Sequence, residues 1–237
     1  MKFGVVIFPG SNCDHDMIYV MRNILGQEVV QLWHKDVDLQ NVDGILLPGG
    51  FSYGDYLRSG ALARFSPIMS KVTQFANDGG FVFGICNGFQ ILCEANLLPG
   101  ALLHNNNQKF ICRNTFILPD GKNACPTYFL DKNKALKIPI AHGEGRYFAD
   151  EQTLVELKNN EQIIFRYCSK EGNISDESNP NGSLENIAGI CNSTRNVYGM
   201  MPHPERAADK NLGNTDGLLI FESMLEMMNR QKSNINL

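Results

Sequence analysis

Residues 81–90, "FVFGICNGFQ", run from an unbroken apolar stretch into a cysteine with a glycine two positions to either side. "FVFGI" reads as a buried strand and residues 87–95 as a helix. The turn between them, Gly-x-Cys-x-Gly, has the grammar of a nucleophile elbow with a thiol in place of a hydroxyl. Gly84 and Gly88 have a physical reason to flank it, because so sharp a turn crowds the backbone and only missing β-carbons relieve it. Strain of about 1–3 kcal/mol is typical of such positions. Cys86 would stand at a helix N-terminus, where N–H groups and the helix dipole favour a thiolate. The N–H of Asn87 would point where an oxyanion forms. One more buried thiol is the plainer alternative, and the turn alone leaves it open.

The surrounding sequence has the same rhythm. "FGVVIF" (3–8), "VVQLW" (29–33) and "GILLP" (44–48) read as strands, and helical patterns over 14–25 and 66–79 separate them. Such alternation predicts an α/β fold of flavodoxin-like or Rossmann-like type, with a mostly parallel central sheet covered by helices on both faces. Ligands bind such sheets beyond the carboxyl ends of the strands. In the second half, 110–118, 162–168, 187–191 and 197–201 read as strands, and 216–229 as an amphipathic helix. The polar stretch 169–186 reads as a surface hairpin or loop. Residues 1–230 are expected to form one domain, with 231–237 a frayed tail.

Composition narrows the function. The chain has 237 residues, 43% hydrophobic and 19% charged, which suits one globular α/β domain and argues against disorder. A net charge of −4 with no run of Lys and Arg gives no reason to expect nucleic acid. Seven scattered cysteines without a CxxC pair suggest neither zinc nor a thioredoxin-like site, and point to a reducing, cytoplasmic compartment. The first apolar run is too short for a signal sequence or membrane span.

A nucleophilic thiol needs a base. His203 stands in "YGMMPHPERA", where Met201 and His203 each precede a proline and are pushed out of the helical region. An extended segment puts residues i and i+2 on one face, so Glu205 could orient His203 in a Cys–His–Glu triad. A packed or surface histidine is the plainer reading. "AHGEG" (141–145) repeats the His-x-Glu spacing, but nothing else supports a metal, and none is expected. The Gly49-Gly50 pair after a strand suits a second oxyanion donor, or is simply a turn. Cys13 lacks flanking glycines, and Ser11 or Asp14 there is expected to cap the following helix.

Taken in order, Pro-Gly-Gly, Gly-x-Cys-x-Gly and Pro-His-Pro-Glu resemble the class I (triad) glutamine amidotransferases along nearly the whole chain. The resemblance implies that Cys86 attacks the side-chain amide of L-glutamine and that ammonia leaves. His203 would act as base and Glu205 as its partner, with Gly50 and Asn87 as the oxyanion hole. Gln90, four residues after the nucleophile, would contact substrate. "FPGSNCDHDM", "PGGFSYGDYLRSGA", "FICR", "AHGEGR" and "GMMPHPERA" further resemble the glutaminase subunits of phosphoribosylformylglycinamidine synthase. That resemblance implies a large synthetase subunit and a small bridging subunit as partners. ATP and Mg²⁺ would sit on the synthetase, with no cofactor on this chain. Ammonia would convert formylglycinamide ribonucleotide to its amidine in purine biosynthesis. With Met1 at the first strand and one helix after the triad, the separate-subunit form is expected. Substrate contacts at Asn107 and Phe110 are carried over too, although "NNNQKF" (105–110) departs from a family pattern with Ser before Lys-Phe. Roles for Asp55, Arg58, His142 and Glu144, at the site or facing a partner, stay undefined. A free-standing Cys hydrolase of γ-glutamyl or peptide substrates and a non-catalytic scaffold are the alternatives.

Overall fold

In the computed structural model, which describes residues 1–121 and 124–235, eleven strands follow the chain. They are β1 (Lys2–Ile7), β2 (Glu28–Trp33), β3 (Gly44–Leu47), β4 (Phe81–Ile85), β5 (Ala101–Leu103), β6 (Ile111–Pro119), β7 (Leu136–His142), β8 (Arg146–Phe148), β9 (Ile163–Cys168), β10 (Ile187–Cys191) and β11 (Val197–Met200). The α-helices are α1 (Asp14–Tyr19), α2 (Pro67–Asn77), α3 (Asn87–Glu94), α4 (Glu151–Asn159) and α5 (Asp216–Ile235).

The nine-stranded sheet has the order β2-β1-β3-β4-β11-β10-β9-β6-β7. From β2 to β11 every pairing is parallel, in the 2-1-3-4-5 order of a flavodoxin-like sheet. From β11 to β7 every pairing is antiparallel, but only β10 and β6 run against the rest. Strands β3, β4, β10 and β11 are buried at every residue, as strands covered on both faces must be. Phe3, Phe83, Phe89 and Met17 are among the largest fully buried side chains. Each contributes about 1.5–3 kcal/mol by leaving water.

Several elements depart from the sequence reading or lie outside it. The first helix is α-helical only to Tyr19 and finishes as a π-turn over Val20–Ile24. Strand β7 carries Pro139 yet pairs with β6 through Asn114↔Pro139. It is the last strand of the sheet, and the Pro139 carbonyl accepts from His203 N–H at 2.8 Å. The missing N–H of Pro139 lies on that same side, away from β6, where no ladder bond is lost. Helix α4 is capped by Asp150, whose side chain accepts from Thr153 N–H at 2.7 Å. Helix α5 continues to Ile235, through most of the expected tail; 236–237 lie outside the described residues. The 169–186 stretch is not all surface, since Asn181, Ser183 and Asn186 are buried. No helix among the described residues is long and apolar enough to cross a membrane.

Candidate active site

Four loops leave the carboxyl ends of β1, β3, β4 and β11 and meet at one point. The turn after β4 is built as its glycines suggest. Cys86 has φ +52° and ψ −106°, a left-handed-side conformation that a side-chain-bearing residue rarely adopts. A β-carbon on Gly84 would stand 2.6 Å from the Gly88 carbonyl carbon, and one on Gly88 would fall on the Leu47 carbonyl. Helix α3, which opens at Asn87, can therefore lie directly against β3 and β4. Asn87, as its first residue, has no acceptor one turn back for its N–H, which suits an oxyanion donor.

The loop after β3 closes the other side. A β-carbon on Gly49 would lie 2.7 Å from His203 Cε1, 3.1 Å from Cys13 Sγ and 3.3 Å from Cys86 Cβ. That single absent methyl group lets thiol and imidazole approach. Gly50, with φ +141°, forms a bridge with Ser11 and reaches the cavity. The Asn87 side chain ties this loop to the elbow. Its Oδ1 accepts from Ser52 N–H at 3.2 Å, and its Nδ2 donates to Gln90 Oε1 at 2.9 Å.

His203 follows β11 and donates from Nδ1 to Glu205 Oε1 at 2.6 Å, both residues being buried. The expected pairing is made, but not by an extended segment. Pro204–Ala207 form a 3₁₀ turn that starts on the proline and carries Glu205 in its first turn. His203 Nε2 and Glu205 Oε2 make no hydrogen bond among the described residues. Burial opposes a charge on the His203 ring; the Glu205 carboxylate, and after it the Cys86 thiol, favour one more strongly. The net effect raises its proton affinity well above that of an ordinary histidine. A base held so ready to take a proton beside a thiol is the arrangement that nucleophilic catalysis needs.

Cys13 has no part in the chemistry the sequence suggests, but the structure sets it against His203. Arg206 Nη2 donates to Cys13 Sγ at 2.9 Å, and the Cys13 thiol reaches Asn12 Oδ1 at 3.3 Å. Burial raises its proton affinity, partly offset by His203. The expected cap is absent: Ser11 Oγ accepts from Phe8 N–H instead, and Cys13 itself occupies the N-cap of α1 without a side-chain cap. Donor atoms of Cys13, His203 and Glu205 lie within 4.8 Å of one another, near enough to raise the question of a cation. The Arg206 guanidinium already supplies positive charge to Cys13, and Glu205 is engaged by His203. The second His-x-Glu pair does not join them, because Asn105 holds His142 while Glu144 meets Ser59 and His104.

Above Cys86 opens a cavity of about 220 Å³. One wall carries Gly50, Phe51, Asp55, Ser59, Cys86 and Gln90, and the facing wall His104, Phe110, Ala141, His142, Gly143 and Glu144. Gln90 Nε2 donates to the Glu144 carbonyl at 2.6 Å and joins the two. Gln90 and Phe110, both carried over as substrate contacts, line this cavity. Asn107 does not: its Oδ1 accepts from Lys109 N–H in an exposed turn, and Asn105 is the asparagine turned inward. Burial, and then Glu144 nearby, push the Asp55 carboxyl up to about 6. Burial, and then His203, hold His142 down at about 3, so its ring is neutral.

Fold and site together have the architecture of the class I glutamine amidotransferases. The family model of the CobB/CobQ-like glutamine amidotransferase domain matches residues 1–217, and the chain belongs to that family. It is 58% identical to phosphoribosylformylglycinamidine synthase subunit PurQ of Koribacter versatilis, over 96% of this chain and 99% of that one. To the PurQ of Salinibacter ruber it is 53% identical, over 94% and 95%. Among solved structures it resembles PurLQS from Thermotoga maritima, with TM-score 0.84 and 40% identity over 96% of this chain and 98% of that chain. A glutamine amidotransferase from Thermotoga maritima, 14% identical with TM-score 0.59 over 96% and 97%, shares the fold.

Proposed function

We infer that this chain is the glutaminase component of a phosphoribosylformylglycinamidine synthase. The observation that carries the reading is the strained Cys86 at the floor of the cavity, beside the buried His203–Glu205 pair. Near-full-length identity to PurQ proteins points to the pathway. Glutamine enters with its carboxamide carbon at Cys86 Sγ. His203 takes the thiol proton as sulfur attacks, and the N–H groups of Asn87 and Gly50 receive the oxyanion. The tetrahedral intermediate collapses by breaking the C–N bond, with His203 returning the proton to nitrogen, so neutral ammonia leaves a γ-glutamyl thioester. Water, deprotonated by His203, then releases glutamate and the thiol. Glu205 keeps the ring oriented and stabilises its charge at each stage.

Ammonia passes to a large synthetase subunit, with a small bridging subunit completing the complex in the cytoplasm. That partner uses ATP and Mg²⁺ to replace the formamide oxygen of formylglycinamide ribonucleotide by nitrogen. The test is assembly with the synthetase and assay of amidine formation. The Cys86→Ala complex is expected to lose glutamine-dependent synthesis by at least about 10³-fold while still using ammonium. Failure with ammonium as well overturns this division of labour, and full activity of the isolated chain favours a free-standing hydrolase.

A further inference from the structure

The cavity wall facing Cys86 is held by two asparagines that touch neither nucleophile nor base. Asn105 and Asn181 are both fully buried. Asn105 Nδ2 donates to the carbonyls of Lys109 and His142 at 2.8 and 2.9 Å. Only an amide nitrogen can do that, so Oδ1 is the atom that accepts from Gly145 N–H at 3.1 Å. It also lies 3.0 Å from His142 Nδ1, which must then carry the ring proton. Asn181 takes the other side of the same glycine: its Nδ2 donates to the Gly145 carbonyl at 2.8 Å, while its own carbonyl accepts from Asn106 N–H at 3.0 Å. Asn181 is itself fixed, because its Oδ1 accepts from Ser183 N–H and Oγ at 3.0 and 2.8 Å. Between these anchors Glu144 presents its carbonyl to Gln90 and its carboxylate to Ser59.

We propose that Asn105 and Asn181 are positioning residues for glutamine: gripping Gly145 by both backbone groups, they fix the wall formed by residues 142–145 over Cys86. The polar stretch 179–183 thereby becomes part of the substrate site. This rests on the glutaminase reading and concerns binding more than chemistry, since the triad stands on other loops.

The discriminating variant is Asn181→Asp, isosteric but unable to donate to the Gly145 carbonyl. It is studied beside Asn181→Ala in the chain assembled with its synthetase. KM for glutamine is expected to rise about tenfold in Asn181→Asp, the loss of one buried hydrogen bond, and by no less than in Asn181→Ala. The kcat should stay within about threefold. Alkylation of Cys86 by iodoacetamide should run at the wild-type rate. A packing role predicts the reverse order, with Asp milder than Ala. That order, a wild-type KM, or loss of kcat and alkylation in step with KM overturns the proposal. Should Asn181→Asp fail to fold, Ser183→Ala probes the same clamp through a smaller rise in KM of about threefold, and an unchanged KM refutes it. A wild-type complex that hydrolyses no glutamine overturns the functional reading itself.

Discussion

The two halves of the sheet divide the work of the site and hold their parts by different physics. The parallel half carries the groups proposed to react, each on a loop at a strand's carboxyl end: Gly50 after β3, Cys86 after β4, His203 after β11. They are held by steric exclusion and backbone strain, with absent β-carbons at Gly49, Gly84 and Gly88 making room. The antiparallel half supplies the facing wall, held by buried amide hydrogen bonds through Asn105 and Asn181. The first kind of construction fails abruptly when an atom is added. The second fails gradually as donors are removed.

The largest effect expected of this contrast belongs to the base. Glu205→Gln keeps the shape of the pair but removes the charge that lifts His203. Turnover in the assembled complex should fall by about 10²–10⁴-fold with KM little changed. A loss below tenfold would show that the ring needs no carboxylate. Next comes the elbow. Gly88→Ala places a methyl group on the Leu47 carbonyl, and backbone cannot step aside as a side chain can. Destabilisation of about 3 kcal/mol is expected in denaturant unfolding. A variant within about 0.5 kcal/mol of wild type would mean that α3 shifts freely on β3.

How much of this the sequence discloses follows the same division. Strands buried on both faces read as plain apolar runs, so β1, β3, β4, β10 and β11 are visible, and the elbow writes its steric demands in glycine. The wall has no such script. Pro139 argues against a strand in "LKIPIAH" until its place at the sheet edge is known. Strands β5 and β8, three residues each, are too short for any period to show. Among Asn105, Asn106 and Asn107 nothing in the sequence says which turns inward, because the partners of its carboxamide oxygen, His142 and Gly145, are 37 and 40 residues away. The polar 169–186 stretch reads as surface for the same reason: a buried amide is marked by its partners, not by its neighbours in sequence.

The two buried histidines turn the contrast into opposite pH dependences. The His203 ring has its proton affinity raised, so the stability it brings is complete below the ordinary histidine value and is lost as pH rises through the higher folded value. His142 is held down at about 3, by burial first. Its contribution is complete above about 6.5 and is lost as pH falls from there toward 3. His142→Gln removes that titration. The stability advantage of wild type over this variant should therefore shrink by about 1.4 kcal/mol per pH unit below pH 6. A difference that stays constant from pH 7 to pH 4 would show that the wall does not depend on a neutral ring.

The smallest effect expected lies where the halves touch at the cavity mouth. Phe51, from the glycine loop, and Phe110, from the facing wall, stand 6.3 Å apart with rings tilted by 30°, and both are partly exposed. An aromatic pair of this kind contributes about 0.5–1.5 kcal/mol beyond its area, so either alanine variant should raise KM for glutamine about two- to tenfold. The double variant decides what the contact means. If the walls bind substrate independently, the two losses multiply. If the rings act as one latch, removing the second after the first costs little, and the cycle shows a coupling of about 0.5 kcal/mol or more. Coupling would mean that strain-held chemistry and amide-held binding meet through this pair as well as through the Gln90–Glu144 hydrogen bond. Its absence would leave that hydrogen bond, with the Ser59–Glu144 contact, to carry the link between the walls.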